Sequence, residues 1–311
     1  MTTALITNPD AERHKTPSGH PERPARMEAL RDALGGDDFA GLLREEAPLG
    51  TREDVLRCHD PAHLARIETA IPAQGVAALD ADTHVSPGSL EAALRGVGGM
   101  ARAVEMVLGG AALSAFVATR PPGHHAERNR TMGFCLFGNV AIAAKIALDV
   151  HGLERVAILD FDVHHGNGTQ DLLWDEPRIR FVSTHQMPLW PGSGAPGERG
   201  AHGQIRNIPL EPGAGSAPFR SAIEDEALPF LDDFAPELVL ISAGFDAHRA
   251  DPLAQLMLDV EDFAWATARI CDIAQAHAGG RVVSALEGGY DLGALAACTA
   301  AHVEHLMERG A

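Results

Sequence analysis

Four apolar runs in this sequence each end in a cluster of glycine and ionisable residues. Such runs are typical of strands that are covered on both faces of a parallel sheet. Ligands of an open parallel sheet bind beyond the carboxyl ends of its strands, so four such clusters predict one shared site. The clusters are Arg120-Pro-Pro-Gly-His-His125, Asp162-Val-His-His-Gly-Asn-Gly168, Ala243-Gly-Phe-Asp-Ala-His248 and Glu287-Gly-Gly-Tyr290.

Asp162 and His164 are the first candidates for metal ligands. Residues two apart on a strand point the same way, so these side chains and Asp160 share a face if the strand continues that far. Asp246, at the end of another apolar run, is the natural third ligand. Asp and His together suit zinc, and a catalytic zinc site has three protein ligands and an open position. A lone Asp or His in such a place more often caps a turn or packs in a core, but the whole cluster favours a metal.

His124 and His125 follow Pro-Pro-Gly and are candidates for general acid and base catalysis. Asp160 and Asn167 are candidates to orient the two rings through Nδ1. A carboxylate partner raises the proton affinity of an imidazole and an amide does not, so the histidine paired with Asp160 is expected to be the more basic. The alternatives are a buried structural pair or a pair of metal ligands.

Tyr290 is the only tyrosine of the chain and follows two glycines. Glycines allow the backbone and a ring to approach a ligand closely. A phenol that donates to a developing oxyanion is a recognised electrostatic catalyst. The alternative, a tyrosine that only packs on a turn, is less favoured because Tyr290 lies beside the other clusters.

The remaining pattern predicts the elements that position these residues. Short apolar runs alternate with longer helical stretches, which indicates an α/β chain with a largely parallel sheet. Leu136–Val150 and the segment from Val260, capped by Asp259, are predicted helices, and Ser86–Leu108 is a third that Gly96, Gly98 and Gly99 break or divide. Pro188–Gly203 and Thr16–Pro24 are predicted loops. The predicted strands are Ala4–Thr7, Ser114–Thr119, Arg155–Phe161, Ile179–Thr184, Gln204–Leu210, Glu237–Ser242 and Arg281–Leu286.

Composition limits the classes of function. The 311 residues carry a formal net charge of −18, which argues against direct nucleic-acid binding and suits either cationic substrates or, more simply, solubility. No apolar run approaches the roughly 20 residues of a membrane span, and the N-terminus has no secretory pattern. The four cysteines are scattered, which predicts neither disulfides nor a thiolate zinc site and favours the reducing cytoplasm.

Five ordered motifs together resemble the zinc-dependent histone deacetylase superfamily, which includes acetylpolyamine amidohydrolases. The resemblance extends from Gly19-His-Pro-Glu-Arg23 to Tyr290. It implies an arginase-like open, mostly parallel α/β sheet with helices on both faces, and we expect a single catalytic domain over residues 1–311. The motifs are Arg120-Pro-Pro-Gly-His-His-Ala126, Gly133-Phe-Cys135, Asp160-Phe-Asp-Val-His-His-Gly-Asn-Gly-Thr169, Ala243-Gly-Phe-Asp-Ala-His248 and Glu287-Gly-Gly-Tyr290.

The resemblance also implies roles for individual residues. The matches to the zinc ligands are Asp162, His164 and Asp246. The matches to the catalytic machinery are His124 with its partner Asp160, His125 as general base and acid, Asn167 in the class II pattern, and Tyr290 as oxyanion donor. The substrate-binding matches are Phe134 and Trp190 as tunnel walls, Gly133, Gly288 and, at the rim, Leu253. Trp190 departs from the usual Phe or Tyr and is expected to narrow the tunnel. Arg26 matches an arginine behind the zinc, and Asp160 and Ser183 match a structural potassium site.

The function expected on these grounds is zinc-dependent hydrolysis of N-acyl amides, with acetyl-lysine-like substrates favoured over acetylpolyamines or other small amides. A non-catalytic acyl-lysine binder would require the loss of a ligand or of Tyr290, and all are present. An arginase-type ureohydrolase needs two manganese ions and more Asp ligands, which Asn167 and the single Asp246 do not supply. The oligomeric state stays open, a homo-oligomer included.

Overall fold

The computed structural model describes residues 2–310, which form an eight-stranded sheet in which every neighbouring pair is parallel. The strands are β1 Thr3–Thr7, β2 Leu43–Glu46, β3 Ala77–Ala78, β4 His84–Val85, β5 Ser114–Ala118, β6 Val156–Asp160, β7 Ile179–Gln186, β8 Ile205–Leu210, β9 Leu238–Ala243 and β10 Val282–Leu286. The helices are α1 Ala25–Ala33, α2 Arg52–Leu56, α3 Pro61–Ala70, α4 Ser89–Leu108, α5 Asn139–Asp149, α6 Asn167–Leu172, α7 Ser216–Ser221, α8 Leu228–Asp232, α9 Val260–His277 and α10 Leu292–Gly310. The strand order is β2-β1-β5-β10-β9-β6-β7-β8, and β3 and β4 form a separate antiparallel pair.

Helices cover both faces of the sheet, as predicted. Side chains on β6 alternate between two cores: Ala157 and Leu159 pack with α9 and α10, while Val156 and Ile158 pack with α4 and α5. Every residue of β5, β6, β9 and β10 is buried. This double coverage explains why these strands are continuous apolar runs rather than alternating ones.

All seven predicted strands are present, with bounds that differ by at most two residues. The sequence pattern did not predict β2, which lies at the edge of the sheet and whose residues Leu-Arg-Glu-Glu include three charged ones and are mostly exposed. It also did not predict the two-residue strands β3 and β4. Helix α9 begins after Asp259 as expected, and the two predicted loops contain no helix or strand.

The prediction that glycines break the helix of residues 86–108 is wrong. Helix α4 is continuous from Ser89 to Leu108. A Cβ atom at Gly98 would lie 2.1 Å from the backbone oxygen of Pro48, and one at Gly99 would lie 3.1 Å from Cβ of Ala47. These glycines therefore serve close packing of the helix against the segment that follows β2, not a turn.

The strand order brings the four polar clusters together. Strands β5, β10, β9 and β6 are consecutive in the sheet and parallel, so their carboxyl ends meet at one edge near its centre. No helix within residues 2–310 is both long enough and apolar enough to cross a membrane.

Candidate metal centre and active site

Asp162, His164 and Asp246 converge beyond the ends of β6 and β9. Nδ1 of His164 lies 3.1 Å from Oδ1 of Asp162 and 3.1 Å from Oδ2 of Asp246. All three side chains are buried. Strand β6 ends at Asp160, so strand alternation does not reach His164, and it is the bend after the strand that directs Asp162 and His164.

Backbone groups hold both carboxylates in place. The N–H of Val163 donates to Oδ1 of Asp246 at 2.8 Å, and the N–H of Gly288 donates to Oδ2 of Asp162 at 2.8 Å. A Cβ atom at Gly288 would lie 2.2 Å from Oδ2 of Asp246, and one at Gly244 would lie 2.1 Å from Oδ2 of Asp162. Only glycine fits at these two positions, so the chain wraps closely around the carboxylates.

The chemistry of this donor set fits a divalent metal ion. Two ligands that each lie about 2.0–2.2 Å from one zinc ion stand about 3–3.6 Å apart. Nδ1 of His164 lies at such a distance from both carboxylates, and the three ligand atoms all lie within 4.8 Å of one another. Burial disfavours the charged form of His164, but hydrogen bonds and charges from Asp162 and Asp246 outweigh it and raise its pKa to about 10. Buried groups of this kind are paired or bind metals, and a metal would replace the shared proton.

The adjacent imidazoles of His124 and His125 have different partners. Nδ1 of His124 lies 2.9 Å from Oδ2 of Asp160, and Nδ1 of His125 lies 2.7 Å from Oδ1 of Asn167. The ring centroids are 3.9 Å apart, and ring nitrogens of both histidines lie within 4.8 Å of a carboxylate oxygen of Asp162. The pair therefore borders the candidate metal site.

The contacts of Asn167 fix the tautomer of a neutral His125. Nδ2 of Asn167 donates to the carboxylate of Glu127 at 2.8 Å, so its oxygen is the atom that faces His125. That oxygen can only accept, and Nδ1 of His125 must therefore carry a proton. The neutral ring then has its lone pair on Nε2, which makes His125 a ready proton acceptor.

The two histidines also differ in basicity, in the direction expected from their partners. Burial lowers the pKa of His124, but the charges of Asp162 and Asp160 outweigh it and raise that pKa well above the usual value. Burial and the charges of His124 and His164 hold the pKa of His125 well below it. Within this pair, His124 therefore favours the charged form and His125 the neutral form.

Tyr290 stands on the loop after β10. Its ring is 8 % exposed, with its centroid 5.8 Å from that of Phe134 and 5.1 Å from the guanidinium carbon of Arg26. Burial and the charge of Asp246 raise the pKa of Tyr290 well above its usual value, so the hydroxyl stays protonated. It makes no hydrogen bond to any residue of the described chain, which leaves the proton free for a ligand.

The predicted tunnel residues surround these groups. The rings of Trp190 and His125 meet edge to face with centroids 4.7 Å apart, while Phe134 is half-buried between Tyr290 and His20. Gly133 has φ 56°, and a Cβ atom there would lie 2.3 Å from the ring of His125. Leu253 is half-buried, and its backbone N–H donates to Asp251.

Three buried carboxylates at the site were given no role from the sequence. Glu287 accepts N–H groups from Gly123 and His124, and Asp251 accepts the N–H of Tyr290. Glu22 forms a bidentate pair with the guanidinium of Arg120. The first two bind backbone N–H groups, which every residue except proline has, so residue types gave no signal for them. The Glu22 pair joins the segment Gly19–Arg23, where the resemblance begins, to the motif that starts at Arg120, and was open to a charge-pairing argument.

Comparison with known proteins identifies the family of the chain. The model of the histone deacetylase domain matches residues 20–306. A histone deacetylase-like amidohydrolase of Pseudomonas aeruginosa is 40 % identical over 93 % of this chain and 77 % of its own, and a probable deacetylase of Archaeoglobus fulgidus is 38 % identical over 94 % and 82 %.

A solved structure extends the likeness to three dimensions. The crystal structure of the HDA15 HD domain superposes with a TM-score of 0.93 at 31 % identity, over 99 % of this chain and 88 % of that one. The predicted deacetylase-like fold is thereby confirmed. From the domain match and these relatives together, we conclude that the chain belongs to the histone deacetylase family.

Proposed function

We propose that this protein is a zinc-dependent amidohydrolase that removes acetyl groups from slender aliphatic amines, with acetyl-lysine-like substrates favoured. The observation that carries the proposal is the unequal histidine pair beside three convergent ligands. Asn167 presents the neutral His125 as a base, while the charges of Asp162 and Asp160 favour the charged form of His124. The names of the Pseudomonas and Archaeoglobus relatives, an amidohydrolase and a deacetylase, support the same reaction class.

Asp162, His164 and Asp246 would hold the zinc ion. When bound, zinc supplies a Lewis acid that polarises an amide carbonyl and makes water nucleophilic near neutral pH. The protein supplies the buried, desolvated surroundings in which such charges act strongly. Gly244 and Gly288 keep those surroundings tight because no side chain fits there.

Proton transfer falls to His125. Its Nε2 takes a proton from the attacking water and returns it to the departing amine, while Asn167 retains the proton on Nδ1. The charged His124, paired with Asp160, stabilises negative charge that develops at the carbonyl. The hydroxyl of Tyr290 donates a hydrogen bond to the same oxygen, and this bond is strongest in the transition state.

The walls select the shape of the amine. Phe134 and Trp190 supply flat apolar surfaces that suit a linear aliphatic chain, and Gly133 and Gly288 let the backbone pack directly against His125 and Asp246, where a side chain would collide. Leu253 places an apolar group at the rim, where a dedicated polyamine amidohydrolase would gain from a carboxylate. Acetylpolyamines are therefore the second choice, and the net charge of −18 is the feature that favours them.

Three further expectations belong to this proposal. A potassium ion would lie near Asp160 and Ser183, which are partners across β6 and β7. A cytoplasmic location agrees with four cysteines that are all free and buried within the described chain. We also propose that residues 1–311 act as one catalytic domain.

The test is a kinetic comparison on purified, zinc-loaded protein. An acetyl-lysine peptide, an acetylpolyamine and a short N-acetyl alkylamine are compared by kcat/KM, and metal analysis counts the bound ions. We expect one zinc ion and the highest kcat/KM for the acetyl-lysine peptide. If none of the three amides is hydrolysed, the proposed activity is refuted. If the protein binds two manganese ions per chain, a ureohydrolase is favoured instead.

A further inference from the structure

The loop that carries Tyr290 is held almost entirely through its backbone. Nε and Nη2 of Arg26 donate to the carbonyl oxygens of Gly289 at 2.7 Å and Glu287 at 2.5 Å. The carbonyl of Gly288 accepts from Phe245 at 3.1 Å. The two N–H groups at the tyrosine itself, those of Tyr290 and Asp291, still need acceptors.

Both of these N–H groups donate to one carboxylate, that of Asp251. Its Oδ2 lies 2.7 Å from the nitrogen of Tyr290 and 3.4 Å from that of Asp291. Its Oδ1 accepts the N–H of Leu253 at 3.0 Å. The same side chain therefore connects the tyrosine loop with the rim residue Leu253.

Asp251 has no role in charge pairing. It is 7 % exposed and forms no ion pair with any residue from 2 to 310. A buried carboxylate is costly unless hydrogen bonds compensate for its lost hydration, and here the compensating donors are backbone N–H groups alone. The carboxylate is therefore kept buried by the backbone it binds, at the two residues of the loop that Arg26 and Phe245 do not hold.

We propose that Asp251 is the positioning residue for Tyr290, an inference that rests on the proposed role of Tyr290 as oxyanion donor. Gly288 and Gly289, the latter with φ 115°, precede the tyrosine and leave its loop with little stiffness of its own. An oxyanion donor must lie about 2.7–3.1 Å from the developing charge, and a shift of about 1 Å costs about a hundredfold in rate. Asp251 supplies the constraint that the glycines do not.

Two variants and one control separate positioning from stability. Asp251→Ala removes the anchor completely. In Asp251→Asn the amide nitrogen must face either the Tyr290 N–H or the Leu253 N–H, so one of these hydrogen bonds is lost. Asp262→Asn is the control, because Asp262 is also a buried carboxylate that accepts a backbone N–H, that of Asp259 at the start of α9. Its other hydrogen-bond partners are Ser216 and Arg220, which lie outside the site.

The first readout is kinetic and uses the Tyr290→Phe background. In the otherwise native protein we expect Asp251→Ala to lower kcat by about 10- to 100-fold, with a much smaller change in KM and an intermediate loss for Asp251→Asn. In the Tyr290→Phe protein the same Asp251 substitutions are expected to change kcat by less than about twofold. Losses that multiply in the double variant would overturn the proposal, as would an unchanged kcat in Asp251→Ala.

The second readout does not depend on activity. Because Tyr290 is the only tyrosine, protein labelled with 3-fluorotyrosine gives a single fluorine resonance from this ring. We expect Asp251→Ala to shift and broaden that resonance while zinc content is retained, and Asp262→Asn to leave it in place. An unshifted resonance in Asp251→Ala would overturn the positioning role. If the native protein hydrolyses no N-acetyl amine, the proposed function fails, but the resonance still decides whether Asp251 holds the ring.

Discussion

The floor of the site and its entrance are held in different ways. In the floor, which consists of the proposed metal ligands, the histidine pair and Tyr290, carboxylates and imidazoles bond to one another across strands, and only Tyr290 is held through its backbone. At the entrance, formed by Phe134, Trp190 and Leu253, the protein holds the backbone instead. The N–H of Phe134 donates to Thr83, and the N–H of Leu253 donates to Asp251.

This difference separates chemistry from selection. Substitution of a carboxylate or histidine in the floor leaves a buried group without its partner, whereas a substitution at the entrance keeps the backbone anchors and changes only the surface that the substrate contacts. Trp190, for example, is 41 % exposed, while Asp162 is fully buried. Floor variants should therefore lose rate, and entrance variants should change preference.

The largest effect is expected from Asp246→Ala in the floor. Loss of one of the three ligands should abolish both zinc binding and hydrolysis, because Asp162 and His164 alone leave the ion weakly held. Metal analysis and kcat/KM measure the two losses, and Asp233→Ala, which removes an exposed carboxylate, is the control. An Asp246→Ala protein with full zinc and activity would show that the third ligand is misassigned.

Tyr290→Phe should have the second largest effect. The variant keeps the ring and loses only the hydroxyl, so folding, zinc content and substrate binding should be retained. Loss of one oxyanion donor typically costs about 10²–10³ in kcat, and we expect at least about a hundredfold here. A variant that keeps most of its kcat would show that the Tyr290 hydroxyl is not an oxyanion donor.

Trp190→Phe tests the entrance and should change preference more than rate. Phenylalanine has one ring where the indole of Trp190 has two, so the substitution widens the space beside His125. We expect kcat/KM for amides of branched amines to rise relative to that for acetyl-lysine by up to about tenfold. An unchanged ratio would mean that Trp190 does not limit the width of the tunnel.

Leu253→Glu should have the smallest effect. A half-exposed carboxylate near a substrate ammonium contributes at most about 1 kcal/mol, which is about a fivefold gain in the preference for acetylpolyamines over acetyl-lysine peptides. The preference is measured as the ratio of kcat/KM values at low ionic strength, with Leu253→Gln as the uncharged control. A ratio that does not differ between Glu and Gln would place residue 253 outside the entrance.

The sequence predicted the centre of the sheet well because burial on both faces imposes long apolar runs, as in β5, β6, β9 and β10. It failed where that constraint is absent. Strand β2 pairs with β1 through backbone groups while its side chains face solvent, and the glycines of α4 serve contacts with a distant loop. A local sequence pattern shows neither which strand an edge strand will pair with nor which distant loop a helix will contact.

The same limit explains the site residues that the sequence did not reveal. Asp162, His164 and Asp246 have side chains suited to bind one ligand in common, and their types are informative. Asp251 and Glu287 bind backbone N–H groups, and because nearly every residue has one, the sequence does not show which residues are their partners. Positioning residues of this kind become visible only when the loops are placed in space.

The position of β10 in the sheet has a consequence for the order in which the sheet folds. This strand is the last of the sheet along the chain, yet it lies between β5 and β9. Without it the sheet divides into β2-β1-β5, which leads to the histidine pair, and β9-β6-β7-β8, which leads to the three proposed metal ligands. Pairings between segments that are far apart in the sequence form slowly. The sheet is therefore complete only when its C-terminal strand is in place, and the strand that unites the two halves is also the one that brings the tyrosine.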